Sequence, residues 1–434
     1  MKRFLIIIMI ISGFLNMKAQ DVVLLNYNTL ERKYEKSSEK IQHEKKKLKD
    51  KTWFKHGIIL QDIYRIGLEY IGEGTSLTEF QLYYDDPINT VTKEENGREV
   101  KILEYENMDY YFINDALSRW KRKNIITEDP LDKAYEAYQK TLELDEKGKR
   151  RDDVKEQLQE LKQQFVQAGI NSYYNENLKE ALADFQMILN INEMDMFEGV
   201  VDTIMIQYSG IIARELGEYE EAAKHYKKLA NMNYGGPSVY LNIRNDYLAL
   251  EDSTMAIEIM EEAFNKYRDS VNVVANLVDL YINTGNIEQG LEKINQAISD
   301  SPDKGELYYW KGRLLLNSED EDRIEQAIEV YKKAVEKNPD LYYVYYDIGF
   351  IYFLQGQDIF SQAGLEQDSE SRKQINEIAQ EKYEQALPML EKALELNEEN
   401  MEIKRETLDV LKRIYYKLGM TEEYDEVTKQ LKNL

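Results

Sequence analysis

Three histidines, no cysteine and 81 carboxylates are the side chains from which this 434-residue chain would have to build a catalytic centre. Without a thiol there is no cysteine nucleophile, thiolate metal ligand or disulfide. His43, His56 and His225 lie apart, and none opens a His-Glu-x-x-His helix, the spacing that sets two imidazoles on one helical face around zinc. Neither a Gly-x-Ser-x-Gly elbow nor a glycine-rich phosphate loop occurs. His225 precedes Tyr226 on a helical pattern and reads as a surface residue. With so many acids chance pairs are guaranteed, so spacing alone marks no glycosidase pair. The acidic stretch 317–322 invites calcium, but it lacks EF-hand ligand spacing and a glycine at the sharp turn, and reads as a solvated loop. The expectation is a protein without catalysis, cofactor or metal, whose chemistry is that of a binding surface.

The elements that would carry such a surface are written as a repeat. Six times a small residue is followed by a large apolar one at plus four and an apolar or small one at plus seven, the spacing of one helical face. The anchors are Ala181, Ala222, Ala256, Gly290, Ala327 and Ala386, spaced by 41, 34, 34, 37 and 59 residues. Phe185, Tyr226, Met260, Ile294, Tyr331 and Leu390 follow them at plus four. A unit near 34 residues is a helical hairpin that buries its apolar face only against its neighbours, so the expected fold is mainly α, a right-handed superhelical solenoid. Gly169, Gly210, Gly312 and Gly349 fall where the first helix must approach the second. Gly217, Gly285 and Gly419 fall at the turn, where a left-handed C-cap is needed. Pro302 and Pro339 follow second helices and close them.

Lys2 and Arg3, an apolar run from Phe4 to Leu15 and a polar stretch ending Ala19-Gln20 have the order of a secretory signal peptide, residues 1–20. That run is too short to span a bilayer, and no later segment reaches 18 apolar residues, so no integral membrane span is expected. Export to the periplasm, or to the cell surface and beyond, follows. Cleavage removes three positive and no negative charges, taking the net charge from −25 to −28. Such a chain repels nucleic acid. Lys40, Lys45, Lys46, Lys47, Lys49 and Lys51 crowd what reads as one helical stretch, a solvated face, with a patch for anionic lipid or glycan as the other reading.

Residues 21–49 read as a charged helical cap and 50–71 as the first helix of repeat 1. Its second helix is delayed to 128–145, where Ala134, Tyr138 and Thr141 restore the small, large, small spacing. Residues 72–127 follow a different pattern: a short helix from Leu77, then β-prone runs separated by Asn96-Gly97 and Asn114-Asp115, both hairpin signals. This predicts an inserted α+β module with a small antiparallel β-meander. Hairpins fill 146–434, and about 25 extra residues in the sixth unit predict a long helical extension at 355–381, with Pro388 kinking its second helix.

The small, glycine, tyrosine and alanine pattern with proline after the unit resembles the tetratricopeptide repeat (TPR); Leu277, Tyr281, Gly285, Gly290 and Ala297 keep its consensus roles. The layout resembles exported TPR proteins of Bacteroidota, whose signal peptides often end in Ala-Gln. The stretch Gly74 to Pro87, followed by strands, resembles the BamE-like (SmpA/OmlA) envelope module, without that family's lipid-bearing cysteine. The TPR resemblance implies that first helices line a concave groove. Its inward positions would be Tyr173, Tyr174, Gln207, Arg214, Asn245, Asp279, Asn283, Tyr309, Arg313, Asn317, Tyr346, Phe350, Phe353 and Arg413. Amides could bond an extended backbone and rings could hold its side chains, which suits a protein or peptide partner. A clamp for a terminal carboxylate is not expected, because Leu241, Glu306 and Trp310 occupy its basic positions. The implied role is a non-enzymatic exported scaffold in cell-envelope assembly or organisation; the alternative is a carbohydrate- or peptidoglycan-binding protein using the tyrosine-rich groove.

Overall fold

The computed structural model describes residues 25–318 and 322–434; the leader-like segment 1–20 and the centre of the acidic stretch lie outside them. The chain divides into two compact units, ending and beginning at Tyr234 and Gly235. Among the described residues it is mainly α, with 18 α-helices and one four-stranded sheet.

In the first unit, α1 (Tyr27–Gln42) is followed by α2 (Asp50–Arg65), the short α3 (Leu77–Tyr83), β1 (Asn89–Glu95), β2 (Arg98–Glu104), β3 (Met108–Ile113) and β4 (Ala116–Arg122). Then come α4 (Pro130–Leu144), α5 (Arg151–Tyr174), α6 (Leu178–Asn192), α7 (Thr203–Glu215) and α8 (Tyr219–Asn231). Helix α2 packs against α4, so the sheet module is spliced into a hairpin. Helix α1 stops at Gln42 rather than running on to residue 49. Lys45 to Lys49 therefore sit in turns between α1 and α2, pinned where the Trp53 indole donates to the Lys47 carbonyl at 2.8 Å. The expected lysine-rich helical face is not formed.

The meander has the order β1-β2-β3-β4. Two of its turns hold two residues at positive φ, Asn96 (51°) with Gly97 (75°) and Asn114 (51°) with Asp115 (58°). Such turns match the right-handed twist of the strands they join. Met108, Tyr110 and Phe112 alternate into its buried face, where Phe80 of α3 meets Tyr110 at 4.8 Å and Phe112 at 5.3 Å between ring centroids. The module is fastened at both ends. Backbone bonds join Gly74 and Thr75 to Leu117, and the Arg122 guanidinium donates to the carbonyls of Tyr64 and Ile66 at the end of α2. The Trp120 amide donates to Asn171 of α5 at 2.8 Å.

The second unit comprises α9 (Pro237–Ala249), α10 (Ser253–Lys266), α11 (Val271–Thr284), α12 (Ile287–Asp300) and α13 (Gly305–Leu316). It continues with α14 (Asp322–Lys337), α15 (Tyr342–Leu365), α16 (Ser369–Leu396), α17 (Met401–Leu418) and α18 (Thr421–Asn433). Helices α15 and α16 run 24 and 28 residues, and Pro388 lies inside α16.

One packing device recurs in both units. The glycine of a first helix faces the large residue of its second: Gly57 meets Tyr138, Gly169 Phe185, Gly210 Tyr226, Gly312 Tyr331 and Gly349 Leu390. All six anchors and their plus-four partners are buried. The ring or branched chain fills the space a Cβ would take, which lets the helix backbones come close without a void. His225 is drawn into this layer. Expected on the surface, it is only 6 % exposed, because Gly210 leaves room for its Cβ beside Tyr226, and its Nε2 lies 3.4 Å from the Glu221 carboxylate.

Candidate functional site

In the first unit, Tyr173 and Tyr174 end α5 in an edge-to-face pair 6.1 Å apart. The Tyr174 hydroxyl reaches the Glu73 carboxylate, 3.4 Å away, at the start of the module, which thus lies beside the end of α5. Arg214 of α7 spreads over the Tyr226 ring at 4.9 Å, a cation–π contact within its own hairpin. Gln207 is exposed.

The second unit brings more of the expected residues together. Tyr309 and Arg313 lie one turn apart on α13. The Tyr309 ring stacks on Tyr331 of α14 at 5.8 Å and meets Tyr343 of α15 edge-on at 4.6 Å. Arg313 covers the Trp310 ring at 5.3 Å and is held charged by Tyr309 and by Asp279 of α11, against the opposing effect of burial. Asp347 of α15 also lies within reach of Arg313. Burial pushes its carboxyl up to about 6, and Arg313 and the Tyr331 hydroxyl hold it from rising further. That hydroxyl is buried beside Asp347 without a fully formed hydrogen bond. The arrangement is an arginine within electrostatic reach of two carboxylates and packed among three tyrosines.

Farther along α15, Tyr346 stacks on Phe350 at 5.7 Å and donates to Glu406 of α17 at 3.1 Å. Asn245, Asn283 and Arg413 are exposed. Asn317 is exposed too, but its amide is turned back onto the Arg313 carbonyl at 2.8 Å, where it caps α13. Phe353 does not belong to the surface. It is 2 % exposed and packs at 6.1 Å from Tyr383 of α16, because the lengthened α16 covers that side of α15.

Sequence reasoning missed Asp347, Tyr343 and Arg244. Asp279, Arg313 and Asp347 are spaced by 34 residues, a signal that was present. The unit starting at α13 is 37 residues long, so the register pointed to Phe350, about one turn beyond Asp347. Arg244 of α9 stands where other units have the close-approach glycine, and its guanidinium donates to Asn276 of α11 at 2.6 Å. It therefore links two first helices. The surface offers amides, rings and the held cations Arg244 and Arg313. Among the described residues, no group of three or more His, Cys, Asp or Glu could hold a metal ion, and no helix is long and apolar enough to cross a membrane.

Comparison with known proteins agrees with this picture in part. A family model described as a TPR repeat matches residues 320–356. No curated protein matches the chain. Among solved structures, a TPR repeats protein from Bacteroides fragilis shares 17 % identity over 57 % of this chain and 97 % of its own, with a TM-score of 0.33. A C-terminal part of a TPR repeat-containing protein from Cytophaga hutchinsonii shares 13 % over 61 % and 92 %, at 0.38. YrrB, a TPR protein with an unusual peptide-binding site, shares 16 % over 41 % and 87 %, at 0.28. No enzyme family is indicated by these likenesses, and scores of this size fix neither curvature nor site.

Proposed function

We propose that this chain is an exported, non-enzymatic scaffold of the TPR type that binds an extended segment of a protein partner along α9, α11, α13 and α15, in the service of cell-envelope assembly. The observation that carries the reading is the contrast on those helices. Tyr309, Arg313 and Asp347 are locked by one another, whereas Asn245 and Asn283 are exposed and the Tyr346 and Phe350 rings are half-buried at the surface. A rigid polar centre flanked by available amides and rings is what a peptide backbone and its side chains need, since little ordering entropy is then lost on binding. The leader-like first 20 residues support export.

Pull-down from envelope extract with chemical cross-linking tests it. Asn245→Ala with Asn283→Ala, both exposed, should remove the captured partner while leaving the melting temperature nearly unchanged. Unchanged partners would sink the reading. Retention of glycan without any protein would favour carbohydrate recognition instead.

A further inference from the structure

The sheet of the inserted module has two edges, and the chain itself closes one of them. At β4, the Leu117 amide donates to the Thr75 carbonyl at 2.8 Å, and the Leu117 carbonyl accepts from Gly74 at 2.7 Å. The Trp120 amide donates to Asn171 of α5 at 2.8 Å, and its carbonyl accepts from the Asn175 side chain at 3.4 Å. Between this side of the module and the first hairpin lies a cavity of about 220 Å³, lined by Tyr27, Tyr64, Trp120 and Asp129 among others. The opposite edge, β1, has no such cover.

The register says which backbone groups of β1 are left over. In an antiparallel pair, successive residues bond alternately to the two sides of a strand. The two-residue turn at Asn96-Gly97 makes Glu95 and Arg98 a hydrogen-bonded pair. With Lys93 opposite Val100 and Val91 opposite Ile102, the odd-numbered residues of β1 therefore bond to β2. The Tyr105 amide, which donates to the Met108 carbonyl at 2.9 Å, gives the same parity from the other side of β2. The amides and carbonyls of Thr90, Thr92 and Glu94 thus point out of the sheet, and none has a partner among the described residues. All three residues are exposed. β1 contains no proline, and the register shift of the sheet falls between β3 and β4. Proline, bulge and covering segment, which bar an added strand, are all missing from this edge.

Charge is the device that remains, and its placement selects the occupant. Thr90, Thr92 and Glu94 share one face of the strand. Glu94 stands directly opposite Glu99 of β2, both are exposed, and like charges so placed destabilise a sheet. Lys101, the cation of that face, stands opposite Thr92 and forms no ion pair with either among the described residues. Lys93 and Arg119 are engaged by Glu95 on the other face, at 2.6 and 2.5 Å. A cation on a fifth strand opposite Glu94 would relieve the pair. A second copy of β1 cannot bring one: antiparallel pairing through the outward groups matches even-numbered residues with even-numbered ones, none of them a cation. The net charge of −25 opposes self-pairing further. At the other end of the edge Ile88 is 75 % exposed.

We propose that β1 is the docking edge for an extended segment of another protein. The segment adds antiparallel as a fifth strand, bonds the backbone of Thr90, Thr92 and Glu94, and sets a lysine or arginine opposite Glu94 and an apolar side chain beside Ile88. Main-chain bonds supply affinity in this mode, and alternate side chains supply specificity. The site lies wholly within the first unit and is independent of the surface on α9 to α15.

Fluorescence anisotropy of the full chain with a labelled peptide tests this. The probe is Ser-Lys-Glu-Thr-Val-Val-Thr-Val, whose residues in order face Glu95 back to Ile88. It should bind, and N-methylation of the threonine that faces Thr92 should weaken it about tenfold or more. Replacing its lysine by glutamate should weaken it roughly three- to tenfold, and Glu94→Lys should reverse the order of the two peptides. Thr92→Pro removes an amide that β2 does not use, so it should abolish binding while a circular dichroism melt stays as wild type. No binding of the lysine peptide at millimolar concentration, equal binding of the N-methylated peptide, or an unchanged peptide order in Glu94→Lys would overturn the proposal. A dimer seen by sedimentation that Thr92→Pro abolishes would overturn it too, by giving the edge to a second copy.

Discussion

Gly57→Ala probes the splice in the first hairpin. A Cβ on Gly57 would lie 2.6 Å from Cε1 and 2.8 Å from Cζ of Tyr138, about 1 Å inside normal carbon contact. The ring has nowhere to go. Tyr138 is fully buried, its hydroxyl donates to Gln61 of α2, and the Phe54 ring sits 6.0 Å away. Overpacking of this kind costs about 1–3 kcal/mol, and replacing a helical glycine with alanine returns about 1 kcal/mol, so the net is a destabilisation of roughly 1 kcal/mol. Gly364 in α15 is the control: no atom lies within 4 Å of its Cβ position, and alanine there should stabilise by up to about 1 kcal/mol. In a Tyr138→Leu background the ring is gone, and Gly57→Ala should change sign. Urea unfolding followed by tryptophan fluorescence reads the first unit through Trp53 and Trp120 once Trp310 is replaced by Phe, and reads the second through Trp310 once Trp53 and Trp120 are replaced by Phe. If Gly57→Ala stabilises as Gly364→Ala does, or if the Tyr138 background changes its effect by less than about 0.5 kcal/mol, α2 and α4 do not form one hairpin.

Two further outcomes follow from burial. Asp184 holds its proton to about pH 8 in the folded state but loses it near its ordinary value when unfolded, so the native state binds more protons in that window and stability falls as pH rises through it. Asp184→Asn should remove this fall: the stability difference between variant and wild type should grow by on the order of 1 kcal/mol per pH unit between roughly pH 5 and 7, and a flat difference curve in urea titrations would refute the assignment. Phe353→Ala, cut from the core against Tyr383, should cost roughly 3–5 kcal/mol, while Phe350→Ala at the half-buried surface should cost clearly less; Trp310-monitored unfolding that ranks them in reverse would return Phe353 to the surface.

The repeat was legible because its signal is steric and local. A small residue and a large one four apart declare the buried stripe of a second helix, and all six such stripes are buried. The hairpin turns at Asn96-Gly97 and Asn114-Asp115 were legible for the same reason, since positive φ selects few residue types. The candidate site was legible only in part. Register counting placed Tyr309, Arg313 and Asp279 together, but a three-residue insertion shifted the facing residue of α15 from Phe350 to Asp347. Phe353 was misplaced because spacing along α15 does not say which of its faces Tyr383 of the lengthened α16 covers. The cavity beside Tyr64 left no local trace at all. Its members come from α1, α2, β4, the linker to α4 and α5, and nothing in any one segment encodes their meeting.

The splice that creates the cavity also accounts for its own tolerance. Joining α2 to α4 through residues 66–129, where α11 and α12 are joined by Gly285 and Asn286 alone, would cost roughly 3 kcal/mol more in loop closure if the intervening chain were free. It is not free. Phe80 with Tyr110 and Phe112 gives the module a core of its own, and the Leu117 ladder with the Arg122 guanidinium returns the end of β4 to the end of α2. A folded module whose two ends already meet behaves as a short turn, so the hairpin closes much as a contiguous one does. The same contacts bring Trp120 of β4 and Asp129 of the linker to the lining of one cavity. The geometry that makes the insertion thermodynamically tolerable is thus the geometry that leaves a cavity between module and hairpin, which a plain array of hairpins would not possess.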